Sequence, residues 1–176
     1  PEGATRVFDG RHPRKGEAWV HDIALDAQGR PVIAYAVIPR STDHRYRYAR
    51  WRGARWHDAE IARAGHRLYP TQKYYSGGIA LDPDDTDVAY VSSNVDLHDG
   101  TELPGGRYEI SRGVRRADGT GWDWTALTAG SAQSNLRPIV PRGHPGTIFV
   151  LWFRGRYTTY KNYDARVVLC TDAAIP

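Results

Sequence analysis

Histidine, tyrosine and arginine are the side chains with chemistry to offer in this chain: it has seven His and eleven Tyr, and among 24 basic residues only Lys15, Lys73 and Lys161 are lysines. Arg137 and Arg154 can each grip a carboxylate through two parallel N–H donors, positioning an acidic substrate and neutralising charge that grows in an enolate-like transition state. His21, His44 or Tyr75 can take or supply a proton at that centre. Asp22 and Asn135 stand beside them as polar binding groups, and Tyr157 and Tyr160 can stack on sugar rings. An acidic sugar is the ligand that these residue types suit. Each also has a plainer use: His21 as a hydrogen-bonded residue at a strand start, Arg137 as a donor to loop carbonyls, and Tyr157, Tyr160 and Tyr163 as a cover over the loop base.

These residues lie far apart in the chain, and an internal repeat is what would gather them. Ile23-Ala24-Leu25-Asp26 recurs letter for letter as Ile79-Ala80-Leu81-Asp82, and each copy is followed by a turn and a second apolar segment holding Ala34-Tyr35 or Ala89-Tyr90. Tyr48 to Gly53 has its counterpart in Tyr108 to Gly113, and Trp56 to Ile61 with Gly65 has one in Trp122 to Leu127 with Gly130. A third unit starts at Asn135-Leu136-Arg137-Pro138-Ile139-Val140, passes through Ile148 to Trp152 and reaches Arg166 to Leu169, with no fourth segment. The segments are short, β-branched or aromatic, and bounded by Gly, Pro or Asp turns, so they read as strands.

Four strands per unit and a period of about 55 to 60 residues predict an all-β chain built as a β-propeller of four-stranded antiparallel blades. The expected blade units are about 19–65, 75–130 and 135–172, with 1–18 as a strand or lead-in from a preceding blade. About two and a half blades make 1–176 a single partial domain, the C-terminal part of a larger ring whose remaining blades would be its partner. A β-sandwich of about eleven strands is the alternative, and it gives no reason for a repeated four-strand order. In the propeller, His21, Gly77 and Arg137 take equivalent positions at the mouths of the innermost strands. Polar stretches at Arg40–Arg45, Asn94–Arg107 and Arg154–Tyr163 are expected as long loops on that same face, where binding chemistry concentrates.

Composition closes off several other classes. A hydrophobic fraction of 40% with 25% charged residues is that of a folded chain. No apolar run approaches a membrane span, and the single Cys170 excludes an internal disulfide framework or a thiolate metal cluster. The net charge of +4 is scattered, with no basic stripe or arm, which argues against nucleic acid. No histidine spacing suggests a metal, Asp82 to Asp87 reads as a hairpin turn, and there is no phosphate-binding glycine loop. Neither a metal nor a cofactor is expected.

Two further stretches carry a family resemblance. Arg116-Ala117-Asp118-Gly119-Thr120-Gly121-Trp122 looks like a worn Asp-box turn (Ser-x-Asp-x-Gly-x-x-Trp), with Arg116 for the Ser and Trp122 one position early. Together with Trp19 to Asp26, Tyr75 to Ile79, Asn135 to Pro141 and Leu151 to Gly155, it resembles the sialidase-like propellers with BNR repeats found among carbohydrate-active proteins of polysaccharide-degrading bacteria. The resemblance implies a secreted or periplasmic protein acting on acidic polysaccharide, and two chemistries. One is lysis of a uronate-containing glycan by β-elimination, with His21, His44 or Tyr75 moving the proton and Arg137 neutralising the carboxylate. The other is sialidase-type hydrolysis, although Leu136-Arg137-Pro138-Ile139 is only a distorted echo of the family's Phe-Arg-Ile-Pro motif. A non-catalytic glycan-binding propeller is the third reading.

Overall fold

The structure is a computed structural model describing residues 5–11 and 16–172, and apart from one 3-10 turn at Pro104–Gly106 its regular elements are all β-strands. Of the expected lead-in over 1–18, residues 1–4 and 12–15 lie outside the described residues. Strands β1 (Glu17–Leu25), β2 (Pro31–Arg40), β3 (Asp43–Trp51) and β4 (Trp56–Gly65) form the first antiparallel sheet. The second holds β5 (Ile79–Leu81), β6 (Val88–Ser93), β7 (Glu109–Arg115) and β8 (Trp122–Ala126), and the third holds β9 (Ser134–Ile139), β10 (Phe149–Thr159) and β11 (Asn162–Thr171). In every sheet, strands that are neighbours in sequence are neighbours in space. The repeat therefore maps onto strand order, down to its turns. Asp26 Oδ1 accepts the N–H of Gln28 and Arg30 at 3.0 and 2.9 Å, and Asp82 Oδ1 accepts those of Asp84 and Asp85 at 2.9 and 3.3 Å. Both are Asx turns, in which a short carboxylate satisfies the donors of a chain reversal.

Period-two alternation assigns each face. On β6, Ala89 and Val91 face the first sheet, where they pack with Val32, Ala34, Ala36, Tyr46 and Tyr48, while Val88 and Tyr90 face Val150, Trp152 and Cys170 of the third. β5 lies against β1 and β2 on one side and against β9 on the other. The middle sheet is thus covered on both faces. The outer ones are not. Val7 and Phe8 cover part of the first sheet's outer face over Tyr35 and Val37, yet Val20, Ile23 and Leu25 on that face stay 57 to 62% exposed. On the outer face of the third sheet Ile139, Val167 and Leu169 are exposed beside Leu151.

Two of the three expected loops are strand. Arg40 pairs with Asp43, so β2 and β3 are joined by a turn of only Ser41 and Thr42. His44 sits inside β3, because the alternation His44-Arg45-Tyr46-Arg47-Tyr48 extends the buried face of that strand to its first turn. Arg154 to Thr159 likewise continue β10, which reverses at Tyr160 and Lys161 into β11, as a run rich in Tyr and Thr favours. Of the three, only Asn94–Arg107 is a long connection, braced by a bridge between Val95 and Glu102. β1 begins at Glu17, two residues earlier than the expected blade unit.

Candidate functional site

The first functional position is made by an irregularity in β1. Its pairing with β2 shifts register between Val20 and Asp22, so His21 is the extra residue of a bulge, a device that re-aims a side chain. Asp22 stabilises the bulge: its Oδ1 accepts the Ile23 N–H at 2.8 Å and its Oδ2 accepts the Leu81 N–H on the open edge of β5 at 2.9 Å. Both oxygens of this expected substrate-binding residue are therefore engaged, Oδ1 within β1 and Oδ2 in joining the first sheet to the second.

His21 Nε2 lies 3.0 Å from Ser76 Oγ, and the ring stands edge-on to Tyr46 at 6.2 Å. Tyr46 is fully buried; its hydroxyl donates to the Ser92 carbonyl at 2.8 Å and accepts the Gly78 N–H at 2.7 Å. The Ser76 hydroxyl and the anchored Tyr46 ring thus hold the imidazole from two sides. Loss of hydration, with smaller contributions from the positive charge of Arg137 and from His44, holds the His21 pKa down at about 4. The ring is neutral at neutral pH and has a lone pair for a proton.

Arg137 is the one non-glycine residue with positive φ among the described residues, at 54°. A residue with a Cβ in the left-handed region costs about 1–2 kcal/mol, so β9 carries strain at this point. Its N–H donates to the Gly77 carbonyl at 2.7 Å. Gly77 and Gly78 permit that approach, because a Cβ at Gly77 would lie 2.5 Å from the Ser92 carbonyl oxygen and one at Gly78, whose φ is 116°, would lie 3.0 Å from the Arg137 Cα. The Arg137 guanidinium is placed over two rings, 5.4 Å from the centroid of Tyr157 and 5.7 Å from that of Tyr75. Its Nε is buried with no hydrogen-bond partner, and no ion pair among the described residues includes it.

Around the arginine runs a row of aromatic rings. Trp19 contacts Tyr75 at 5.5 Å, Tyr75 contacts Tyr69 at 5.1 Å, Tyr69 contacts Tyr157 at 5.7 Å, and Tyr157 stacks on Tyr163 at 5.7 Å. The Tyr69 hydroxyl is buried without a partner, and burial followed by the neighbouring Tyr75 pushes its pKa up to about 12. His21, Tyr75, Arg137 and Tyr157, spread over more than 130 positions of sequence, are therefore brought into one neighbourhood. The other candidates are placed differently. His44 is wholly buried in β3, with neither ring nitrogen hydrogen-bonded. Desolvation holds its pKa at about 4, against a weaker upward pull from the Lys73 carbonyl.

Asn135 is also fully buried: its Oδ1 accepts the Trp152 indole N–H at 2.8 Å, while its Nδ2 donates to Glu109 at 3.1 Å and Ser131 at 3.0 Å. It fastens β9 to β10 and β7. Arg154 is exposed on β10, and Tyr160 is exposed at the β10–β11 reversal under Lys161.

Sequence reasoning did not single out Tyr46, Tyr69 or Trp19 for the site. Tyr46 was visible only as one of an alternating row, and Tyr69 lies in an irregular stretch with no periodic signal. Of the three arginines of the adjoining cavity, Arg107 and Arg156 lie in polar stretches expected to bind but were not singled out, and Arg67 was not found. Among the described residues no three His, Cys, Asp or Glu gather as a metal ion would require, and no helix is long and apolar enough to cross a membrane. Comparison with protein-family models, with curated proteins and with solved structures finds no match.

Proposed function

We propose that the chain is part of a sialidase-like β-propeller that binds acidic polysaccharide and cleaves it by β-elimination. The observation that carries this reading is Arg137: a half-buried side chain with an unpartnered buried Nε and a strained backbone, its guanidinium set between two tyrosine rings and beside a neutral imidazole. Arginine without a protein carboxylate is matched by a ligand carboxylate, which its fork meets with two parallel hydrogen bonds. Strain at such a residue points toward function. The three sheets, packed in chain order with β1, β5 and β9 side by side, are then blades, and the apolar outer faces of the first and third sheets are where further blades of a ring would pack.

In the proposed reaction Arg137 holds the uronate carboxylate and takes up the charge that spreads into it as the C5–H bond breaks. His21 is the base. With its Nε2–H donated to Ser76 Oγ, Nδ1 receives the C5 proton. The electron pair of that C–H bond forms the C4–C5 double bond, the C4–O bond breaks, and the departing oxygen takes a proton from the Tyr75 hydroxyl. Proton return from His21 to Tyr75 through solvent restores the site. The test is the near-ultraviolet absorbance of the unsaturated uronate, followed on a panel of uronate polysaccharides. Activity that both His21→Ala and Arg137→Ala abolish supports the reading. No absorbance change on any polymer would withdraw it in favour of a binding module, which the continuous row from Trp19 to Tyr163 also suits.

A further inference from the structure

Resting on that reading, we infer that the cavity beside the Arg137 site is a second anion subsite, so that the ligand is an oligomer carrying acidic groups on separate sugar units. The cavity has a volume of about 560 Å³, within the range of sites that hold small ligands. It is walled by four separate segments: the chain after β4, the end of the Asn94–Arg107 connection, the start of β9 and the middle of β10. Each of the first, second and fourth segments contributes one arginine, Arg67, Arg107 and Arg156, against the single carboxylate of Glu102.

Several other guanidinium groups are neutralised by protein carboxylates, although Arg40, Arg112, Arg154 and Arg166 also lack an ion pair among the described residues. Arg45, Arg47, Arg50 and Arg63 of the first sheet and Arg115 and Arg116 of the second are all paired with Asp or Glu. The side chains of Arg67, Arg107 and Arg156 make no ion pair or hydrogen bond among the described residues. All three residues line the same cavity from separate segments, which brings positive charge to it without an ion-pair partner.

The cavity is continuous with the first site. Tyr157 both lines it and lies under the Arg137 guanidinium. Leu136, which also lines it, precedes Arg137, and the Leu68 N–H donates to the Tyr75 carbonyl at 2.7 Å. A glycan whose carboxylate is held at Arg137 can cross the Tyr157 ring and place its next acidic unit among the three arginines. The ligand class is therefore a polyanionic oligosaccharide.

Binding would be measured by calorimetry on the full chain, with galacturonate-, glucuronate- and guluronate-containing dimers and tetramers. The proteins compared are the unaltered chain, Arg137→Ala and the double variant Arg107→Ala/Arg156→Ala, whose exposed side chains leave folding intact by circular dichroism. Each charge-assisted contact is worth about tenfold or more in affinity. The tetramer should bind the unaltered chain at least about tenfold tighter than the dimer, and the double variant should lose that advantage while keeping dimer affinity. Arg137→Ala should weaken both. A double variant that binds the tetramer as the unaltered chain does, with Arg137→Ala still weakened, overturns the second subsite alone. No binding of any oligomer by the unaltered chain overturns the proposed function with it.

Discussion

Mild acid should destabilise this protein through two histidines, and His44 allows the size of the effect to be worked out. The ring is completely buried in β3, neither nitrogen has a hydrogen-bond partner, and its pKa is held at about 4 where an unburied histidine has 6.5. The folded state therefore keeps His44 neutral where the unfolded chain protonates it. Because the folded value is the lower, stability is complete above the unfolded pKa, falls as pH drops through 6.5, and levels off near 4. Between those limits the slope is about 1.4 kcal/mol per pH unit, so His44 alone costs about 2 kcal/mol on going from about pH 7.5 to about pH 5. His21, with the same shift but a half-buried ring, adds a smaller loss in the same window. Carboxylates such as Asp43, held low by Arg45, lose their contribution only at lower pH, which leaves the interval to the histidines.

Urea denaturation across that interval gives the slope, and His44→Leu isolates its source. Since the ring nitrogens are unpartnered, an apolar side chain of similar volume removes an unsatisfied buried group, and the variant should equal or exceed the unaltered chain at about pH 7.5. It should also lose about 2 kcal/mol less on acidification to about pH 5. An unchanged pH slope in His44→Leu would refute the assignment. Marked destabilisation of the variant at neutral pH would show that the ring has a partner, the Lys73 carbonyl being the nearest in kind.

Three further outcomes follow from the geometry. Arg137→Gly should raise stability by about 1 kcal/mol, because glycine adopts φ of 54° without a Cβ penalty, yet abolish binding of acidic glycan; calorimetry and thermal denaturation read the two effects separately. Gly77→Ala should destabilise by about 1–3 kcal/mol or more in urea titrations, since the new methyl meets the Ser92 carbonyl oxygen at 2.5 Å and the Tyr108 ring at 2.7 Å. The uncovered faces around Ile23 and Leu25, and around Ile139, Val167 and Leu169, should make the isolated chain associate. Light scattering that finds a monodisperse monomer with a cooperative melt would contradict this.

The repeat made most of the fold legible. Ile23 to Asp26 and Ile79 to Asp82 are the same four letters because both end the first strand of a sheet and turn on an Asp carboxylate, so their spacing reports strand order. The loops were harder to read, because Arg40–Arg45 and Arg154–Tyr163 are polar in content while their alternation is that of strands. Polarity marks exposure, and a two-faced strand is exposed on one face. For the site, the matching positions of His21, Gly77 and Arg137 were readable from the repeat. The contact of His21 with Tyr46 was not, since Tyr46 reaches it from β3, whereas Ser76 lies next to Gly77 in the segment before β5. Asn135 and Asp22 show the reverse case: polar residues at the right place in the repeat whose hydrogen-bonding capacity the fold itself consumes.

The contrast between Asn135 and Arg137, two positions apart on β9, bears on why the end of these sheets is built as it is. Asn135 is buried with its amide bonded on both sides, the condition that a stable interior imposes on polar groups. Arg137 has a strained backbone and an unpartnered buried Nε, and the Tyr69 hydroxyl beside it is buried without a partner as well. Local departures from consistency concentrate where function opposes stability. Unpartnered buried groups occur elsewhere too, at His44, Tyr48, Tyr90 and Arg112 for example, but only at Arg137 does one coincide with a strained backbone among the described residues, while the Asp22 carboxylate and the Gly77–Gly78 approach lock the surrounding backbone. A ligand carboxylate would supply the hydrogen bonds that this arginine lacks. The same rigidity that strains Arg137 in the free protein would then hold its guanidinium fixed while charge develops, which is the condition for electrostatic catalysis without reorganisation.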